Sequence, residues 1–207
     1  MALWIDKYRP STLDELDYNK KQASFLKQLV QSHDFPNLLI HGPSGSGKST
    51  RIAAILRELY GPGSSVVKNE VHHIETPSEK KIEFHSIGSA YHLELTPSQV
   101  GKFNDRLVVQ DVIKSVAQTQ AIRKGSVKFK GIFPLLTFIV IVLNQVDQLS
   151  RSAQNALRRT MEKYSSACRL ILCAETLCNI ISPLRSRTLP LRVPCPSDDD
   201  VICGLIW

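Results

Sequence analysis

Apolar positions along the chain recur at two spacings. The run Asn37-Leu38-Leu39-Ile40-His41 is short and apolar, and Ile52, Ile55, Leu56 and Leu59 follow it at helical intervals. This pair predicts a strand over 37–41 and a helix over 48–60. The same reading gives a helix over 12–32, a β-hairpin across 70–87 with its tip at 76–81, a strand over 90–95, a helix over 105–122, a strand over 138–144, a helix over 150–163, and strands over 169–174 and 189–193. Strands that alternate with helices predict an α/β fold, a parallel five-stranded sheet lying between helices. The most apolar stretch, Ile132 to Leu143, contains Pro134 and Thr137 and is shorter than the ~18 residues of a membrane span. No membrane association is expected.

Composition narrows the class. A chain of 207 residues with 43% hydrophobic and 22% charged residues is expected to bury a core of its own. The formal net charge is +7. Lys102, Arg106, Lys114, Arg123, Lys124, Lys128 and Lys130 face only Asp105 and Asp111 across 102–130, and a second basic stretch runs from 151 to 192. Such clustering favours contact with a polyanion, although a solvated helix face explains any single lysine equally well. The five cysteines all lie in the last quarter, from Cys168 to Cys203, without a C-x-x-C pair, so neither a zinc site nor a disulfide framework is indicated. With no basic head and apolar run at the N-terminus, the expectation is an intracellular, soluble protein.

The strand at 37–41 runs directly into Gly42-Pro43-Ser44-Gly45-Ser46-Gly47-Lys48-Ser49-Thr50, and a helix follows. G-x-x-x-x-G-K-S in that context is a phosphate-binding loop. Glycines let backbone N–H groups turn inward around phosphates, and the helix N-terminus adds its dipole. Lys48 is placed to reach the β- and γ-phosphates, and Ser49 to offer its hydroxyl to Mg²⁺. The expected ligand is ATP or ADP with Mg²⁺. In P-loop enzymes a second apolar strand ends in an acid that orders Mg²⁺, often followed by a glutamate that activates water. Here those positions read Asn144 and Gln145. An amide brings no charge to a metal and does not take a proton from water, so a site that binds but hydrolyses poorly is expected.

Four further segments, Trp4-Ile5-Asp6-Lys7-Tyr8-Arg9-Pro10, Leu157-Arg158-Arg159-Thr160-Met161-Glu162-Lys163-Tyr164, Cys168-Arg169-Leu170-Ile171-Leu172-Cys173 and Pro183-Leu184-Arg185-Ser186-Arg187, together with the P-loop resemble the AAA+ core of the small subunits of eukaryotic replication factor C. The resemblance implies a nuclear, ATP-binding subunit of a hetero-pentameric clamp loader. Its implied partners are the other replication factor C subunits, the sliding clamp (proliferating cell nuclear antigen) and primer–template DNA, in replication and repair. It also implies that Tyr8, Arg9 and Pro10 lie along the base and ribose, and that Arg187 is an arginine finger acting in trans on a neighbour's γ-phosphate. The DNA backbone contacts it implies fall on Arg106, Lys114 and Arg151.

Against that pattern, Ala174-Glu175-Thr176 stands where a polar sensor residue is usual, and a carboxylate there repels phosphate. Residues 131–139 read as an insertion, with an apolar bulge or loop expected at Pro134. The family's helical lid and collar are expected to be missing, so the AAA+ domain is placed at 1–196 and the start of a lid at 197–207. A small P-loop kinase and a non-catalytic adaptor are the competing readings; the first needs an acceptor lid and a base.

Overall fold

The computed structural model describes residues 3, 7–32, 35–75, 81–89, 91–102, 104–123, 138–198 and 200–201. Trp4, the hairpin tip at 76–80, the segment 131–137 and residues 202–207 lie outside the described residues. Among the described residues, five α-helices and seven strands follow in the order α1 (Lys20–Gln31), β1 (Leu38–His41), α2 (Lys48–Tyr60), β2 (Lys68–Glu75), β3 (Lys81–Gly88), β4 (His92–Leu95), α3 (Asp105–Arg123), β5 (Ile139–Leu143), α4 (Arg151–Lys163), β6 (Cys168–Ala174), α5 (Ser182–Arg185) and β7 (Leu189–Arg192).

All seven strands form one sheet in the order β2-β3-β4-β5-β6-β1-β7. The five from β4 to β7 in that order are mutually parallel, as expected. The hairpin adds two antiparallel strands at the β4 edge, extending the sheet beyond the parallel set. Side-chain alternation explains why both faces are covered. Leu38 and Ile40 of β1, Val140 and Val142 of β5, and Ile171 and Cys173 of β6 point to one core with Leu26, Ile52, Ile55 and Leu59 from α1 and α2. Leu39, Ile141, Leu143, Leu170 and Leu172 point to the other, against Val109, Ile113, Leu157 and Met161 of α3 and α4. Each such side chain contributes roughly 1.5–3 kcal/mol on full burial.

The helix expected over 12–32 begins only at Lys20. Leu13 and Leu16 are buried at helix-like spacing, but Glu15 accepts hydrogen bonds from the Ser11 N–H and hydroxyl and from the Thr12 N–H, closing a turn instead. Asn19 then adopts a left-handed backbone (φ 56°), which breaks any helix passing through it. Of the stretch read as inserted, Phe138 and Ile139 belong to the core. Phe138 stacks on Phe35, its carbonyl accepts a hydrogen bond from the Tyr60 hydroxyl at 2.9 Å, and Ile139 opens β5 opposite Cys168.

His92 is buried at the start of β4, with Nδ1 2.8 Å from the Ser89 hydroxyl. Burial holds its imidazole below the usual range, partly opposed by Glu94. The unfolded chain therefore binds the proton more readily. This contribution to stability is complete above the unfolded pKa of about 6.5 and is lost as pH falls below it. In thermal melts from pH 8 to pH 5, a His92→Asn variant is expected to lose less stability across that window than the parent. A parent-to-variant difference that is constant with pH would refute the assignment.

Candidate nucleotide-binding site

The phosphate-binding loop joins β1 to α2, and its glycines are dictated by space. A Cβ on Gly42 would sit 2.0 Å from the Val193 carbonyl oxygen, because β1 and β7 pair closely there. Gly45 and Gly47 have left-handed backbones (φ 78° and 76°), and a Cβ on Gly47 would meet the Tyr18 hydroxyl at 2.2 Å. Gly47 then caps α2, whose free N–H groups face the loop. Lys48 folds over the loop and donates to the Gly42 and Pro43 carbonyls, both at 2.8 Å.

A cavity of about 550 Å³ lies over the loop. Tyr8, Arg9 and Pro10 wall one side; Ser44, Gly45 and Gly47 to Thr50 wall the other. The sequence-predicted loop and N-terminal residues are thus brought to one place, except that the buried Gly42 and Ser46 and the exposed Pro43 do not line the cavity. The Arg9 guanidinium donates to the Ser49 hydroxyl at 3.0 Å and to the Thr50 hydroxyl at 3.2 Å. A serine hydroxyl oxygen has two lone pairs, so Ser49 keeps one for a metal. A backbone cradle that admits no Cβ, a lysine and a hydroxyl at a helix N-terminus fit a nucleoside polyphosphate with Mg²⁺.

At the end of β5 neither amide is loose. The Asn144 side chain donates to Glu94 Oε1 at 2.7 Å, and Gln145 Oε1 accepts from the Ser98 hydroxyl at 2.7 Å. Gln145 has a left-handed backbone (φ 54°), a strained conformation for a residue with a Cβ. Glu175 is exposed just past β6.

Four residues near the site were not read from the sequence. Glu94 stands on β4 with its side chain on the α2 face, since Leu93 and Leu95 pack on the opposite one. With Ser49 it borders a second cavity of about 550 Å³. The alternation in His92-Leu93-Glu94-Leu95 was the available signal. Cys173 lines the nucleotide cavity, and burial pushes its thiol up to about 11, so it stays protonated. Tyr18 and Arg51 meet beneath the loop, and only the three-dimensional turn at 12–19 brings them together.

Arg187 lies elsewhere. It precedes β7, which runs parallel to β1, so it stands at the opposite end of the strands from the loop that follows His41. Its Nε donates to Glu162 Oε1 at 2.7 Å, and another guanidinium nitrogen donates to the Pro183 carbonyl at 2.8 Å. Arg106, Lys114 and Arg151 are all exposed, on α3 and α4. The buried Asp105 joins the first turns of these helices by accepting from the Ser150 N–H at 2.7 Å and hydroxyl at 2.9 Å. Gln154, in the same basic stretch, is buried and bonded to the Leu149 and Asn179 carbonyls and the Ile181 N–H, so it faces inward.

Residues 1–185 match the family model described as the Rad17 P-loop domain. The chain is 53% identical over 201 residues to replication factor C subunit 3 of Bos taurus, covering 97% of this chain and 54% of that protein. It is 43% identical over 202 residues to replication factor C subunit 5 of Saccharomyces cerevisiae, covering 97% and 56%. It thus spans about half the length of the curated relatives it matches. Among solved structures it resembles the Aeropyrum pernix Orc1 protein in complex with DNA (TM-score 0.58, 16% identity, 96% of this chain and 50% of that one). The Thermotoga maritima RuvB branch migration motor is also similar (TM-score 0.53, 16% identity, 90% and 48%). At these identities the two structures speak for the fold alone, a P-loop α/β sheet of AAA+ type. On the family model and the identity to its relatives, the chain belongs to the replication factor C subunit 3 and 5 family of P-loop proteins.

Proposed function

We propose that this chain is the nucleotide-binding AAA+ domain of a clamp-loader subunit in the nucleus, that it holds ATP or ADP with Mg²⁺, and that it hydrolyses ATP weakly at its own site. The observation that carries the reading is the cradle itself: Gly42, Gly45 and Gly47 occupy positions that admit no side chain or favour a left-handed backbone, beside Lys48 and Ser49. Lys48 exchanges its two loop carbonyls for phosphate oxygens, and the α2 N–H groups hold the β-phosphate. Ser49 Oγ would hold Mg²⁺, which would supply neutralising charge to the phosphate oxygens. Tyr8 and Pro10 supply an apolar wall for the base, and Arg9 secures the Ser49 and Thr50 hydroxyls.

Weak turnover follows from Asn144 and Gln145. The first is neutral and engaged with Glu94; the second has its amide oxygen occupied by Ser98 and lacks the basicity to take a proton. In an assembly with other replication factor C subunits, Arg187 serves a neighbour's nucleotide. Arg106 and Arg151 in the first turns of α3 and α4, and Lys114 further along α3, track the DNA phosphate backbone, and the sliding clamp is the cargo. Such contacts carry no base preference and add a salt slope of about −0.9 each.

Thermal melting tests the nucleotide reading. With Mg²⁺ and ATP at about 100 times Kd, the chain is expected to gain ~2.7 kcal/mol of stability. Equal melting temperatures with and without Mg·ATP would overturn it.

A further inference from the structure

Among the described residues Arg51 is the largest fully buried side chain, with none of its surface exposed. It lies one turn into α2, where a charged residue would ordinarily point to water. Instead its guanidinium turns under the phosphate-binding loop. One terminal nitrogen donates to the Tyr18 carbonyl at 3.0 Å, the other reaches the Ser46 carbonyl at 3.4 Å, and the group lies 4.6 Å from the centre of the Tyr18 ring. Its Nε has no hydrogen-bond partner, and among the described residues it makes no ion pair with a carboxylate. Arginine does not deprotonate, so a full positive charge is buried here with hydrogen bonds but no counter-charge. That arrangement is costly unless something compensates it.

The compensating group is indicated by position. A Cβ on Gly47 would lie 3.3 Å from an Arg51 terminal nitrogen, so the guanidinium sits directly behind the Gly47 backbone, whose other side faces the nucleotide cavity. Tyr18 completes the support: its hydroxyl donates to the same Ser46 carbonyl at 3.0 Å while its ring lies under the guanidinium. The Ser46 carbonyl is therefore pulled away from the cavity from two directions. Because the peptide unit is planar, this turns the Gly47 N–H toward the cavity.

We propose that Arg51 is a buried positioning residue for the polyphosphate. It fixes the Ser46–Gly47 peptide with its N–H aimed at the phosphates, and it supplies from behind the loop a second positive charge in addition to Lys48. The proposal rests on the nucleotide reading above. It goes further in assigning polyphosphate affinity to a side chain that never touches the ligand, through a field that little water screens.

The test measures two quantities on the 207-residue chain and its variants: the melting temperature without nucleotide and the dissociation constant for Mg·ATP. Arg51→Met is expected to leave the melting temperature without nucleotide unchanged or higher, because it removes an uncompensated buried charge. It is expected to weaken ATP binding about tenfold or more. Arg51→Lys retains an amine but not the two-pronged, ring-stacked contact, and is expected to bind ATP more weakly than the parent and more tightly than Arg51→Met. A Met variant with parental ATP affinity overturns the proposal, whatever its stability. If the Met variant does not fold, the Lys variant decides, and parental ATP affinity in it overturns the positioning role of the guanidinium. A parent that binds no ATP overturns the nucleotide reading and the proposal with it, whereas a binding parent with an indifferent Met variant overturns the proposal alone.

Discussion

On the proposed function, Arg187→Ala is expected to slow ATP hydrolysis at the neighbouring subunit's site by ~10³–10⁵, a loss of about 4–7 kcal/mol of transition-state stabilisation, when the chain is assembled with replication factor C subunits. Binding of ATP to its own P-loop is expected to be unchanged. The sheet register separates the two sites. Leu38 pairs with Leu189 and His41 with Arg192 in parallel, so Arg187 precedes the strands while the loop follows them. That is roughly 15–20 Å along the strand direction, beyond the reach of one arginine side chain. Glu162 and the Pro183 carbonyl hold the guanidinium at the surface in a fixed attitude. As this ion pair is exposed, Glu162→Gln is expected to cost no more than ~1 kcal/mol. Steady-state ATPase rates of the assembled variants decide the matter; equal rates for parent and Arg187→Ala would remove the finger assignment.

The second large effect is at Lys48. Replacing it with Met removes the only side chain whose ammonium both closes on the loop carbonyls and borders the nucleotide cavity among the described residues. Charge-assisted contacts are worth about 1.5–3 kcal/mol each, so ATP affinity is expected to fall roughly 10- to 100-fold. The fold should persist, since Lys48 is only half-buried and Gly42, Gly45 and Gly47 set the loop conformation. Titration calorimetry checks the affinity, and a Lys48→Met chain that binds Mg·ATP like the parent would show that the ligand sits elsewhere.

Much of this architecture was legible in the sequence because the signals were local. Ile52, Ile55, Leu56 and Leu59 keep helical spacing, and the apolar runs of β1, β5 and β6 are long enough to mark buried parallel strands. The loop glycines were legible for the same reason, since their role depends on neighbours in the chain. What escaped was decided at a distance. Leu13 and Leu16 imitate a helix, but Glu15 and the left-handed Asn19 fold that segment into a turn, which brings Tyr18 under the loop. Arg51 then reads as a surface residue of an amphipathic helix, and only the turn makes it buried. Glu94 is a single polar residue on a four-residue strand, and its pairing with Asn144 depends on the β4–β5 register. Arg9 contacts Ser49 and Thr50 some forty positions away, which no spacing rule anticipates.

On the proposed function, this site binds ATP without turning it over appreciably. This is tested most directly by following Mg·ATP binding and phosphate release in one sample of the chain at saturating nucleotide. Saturable, Mg²⁺-dependent binding with phosphate release far below one turnover per minute is the predicted result. Failure to bind, or sustained hydrolysis despite Asn144 and Gln145, would contradict it.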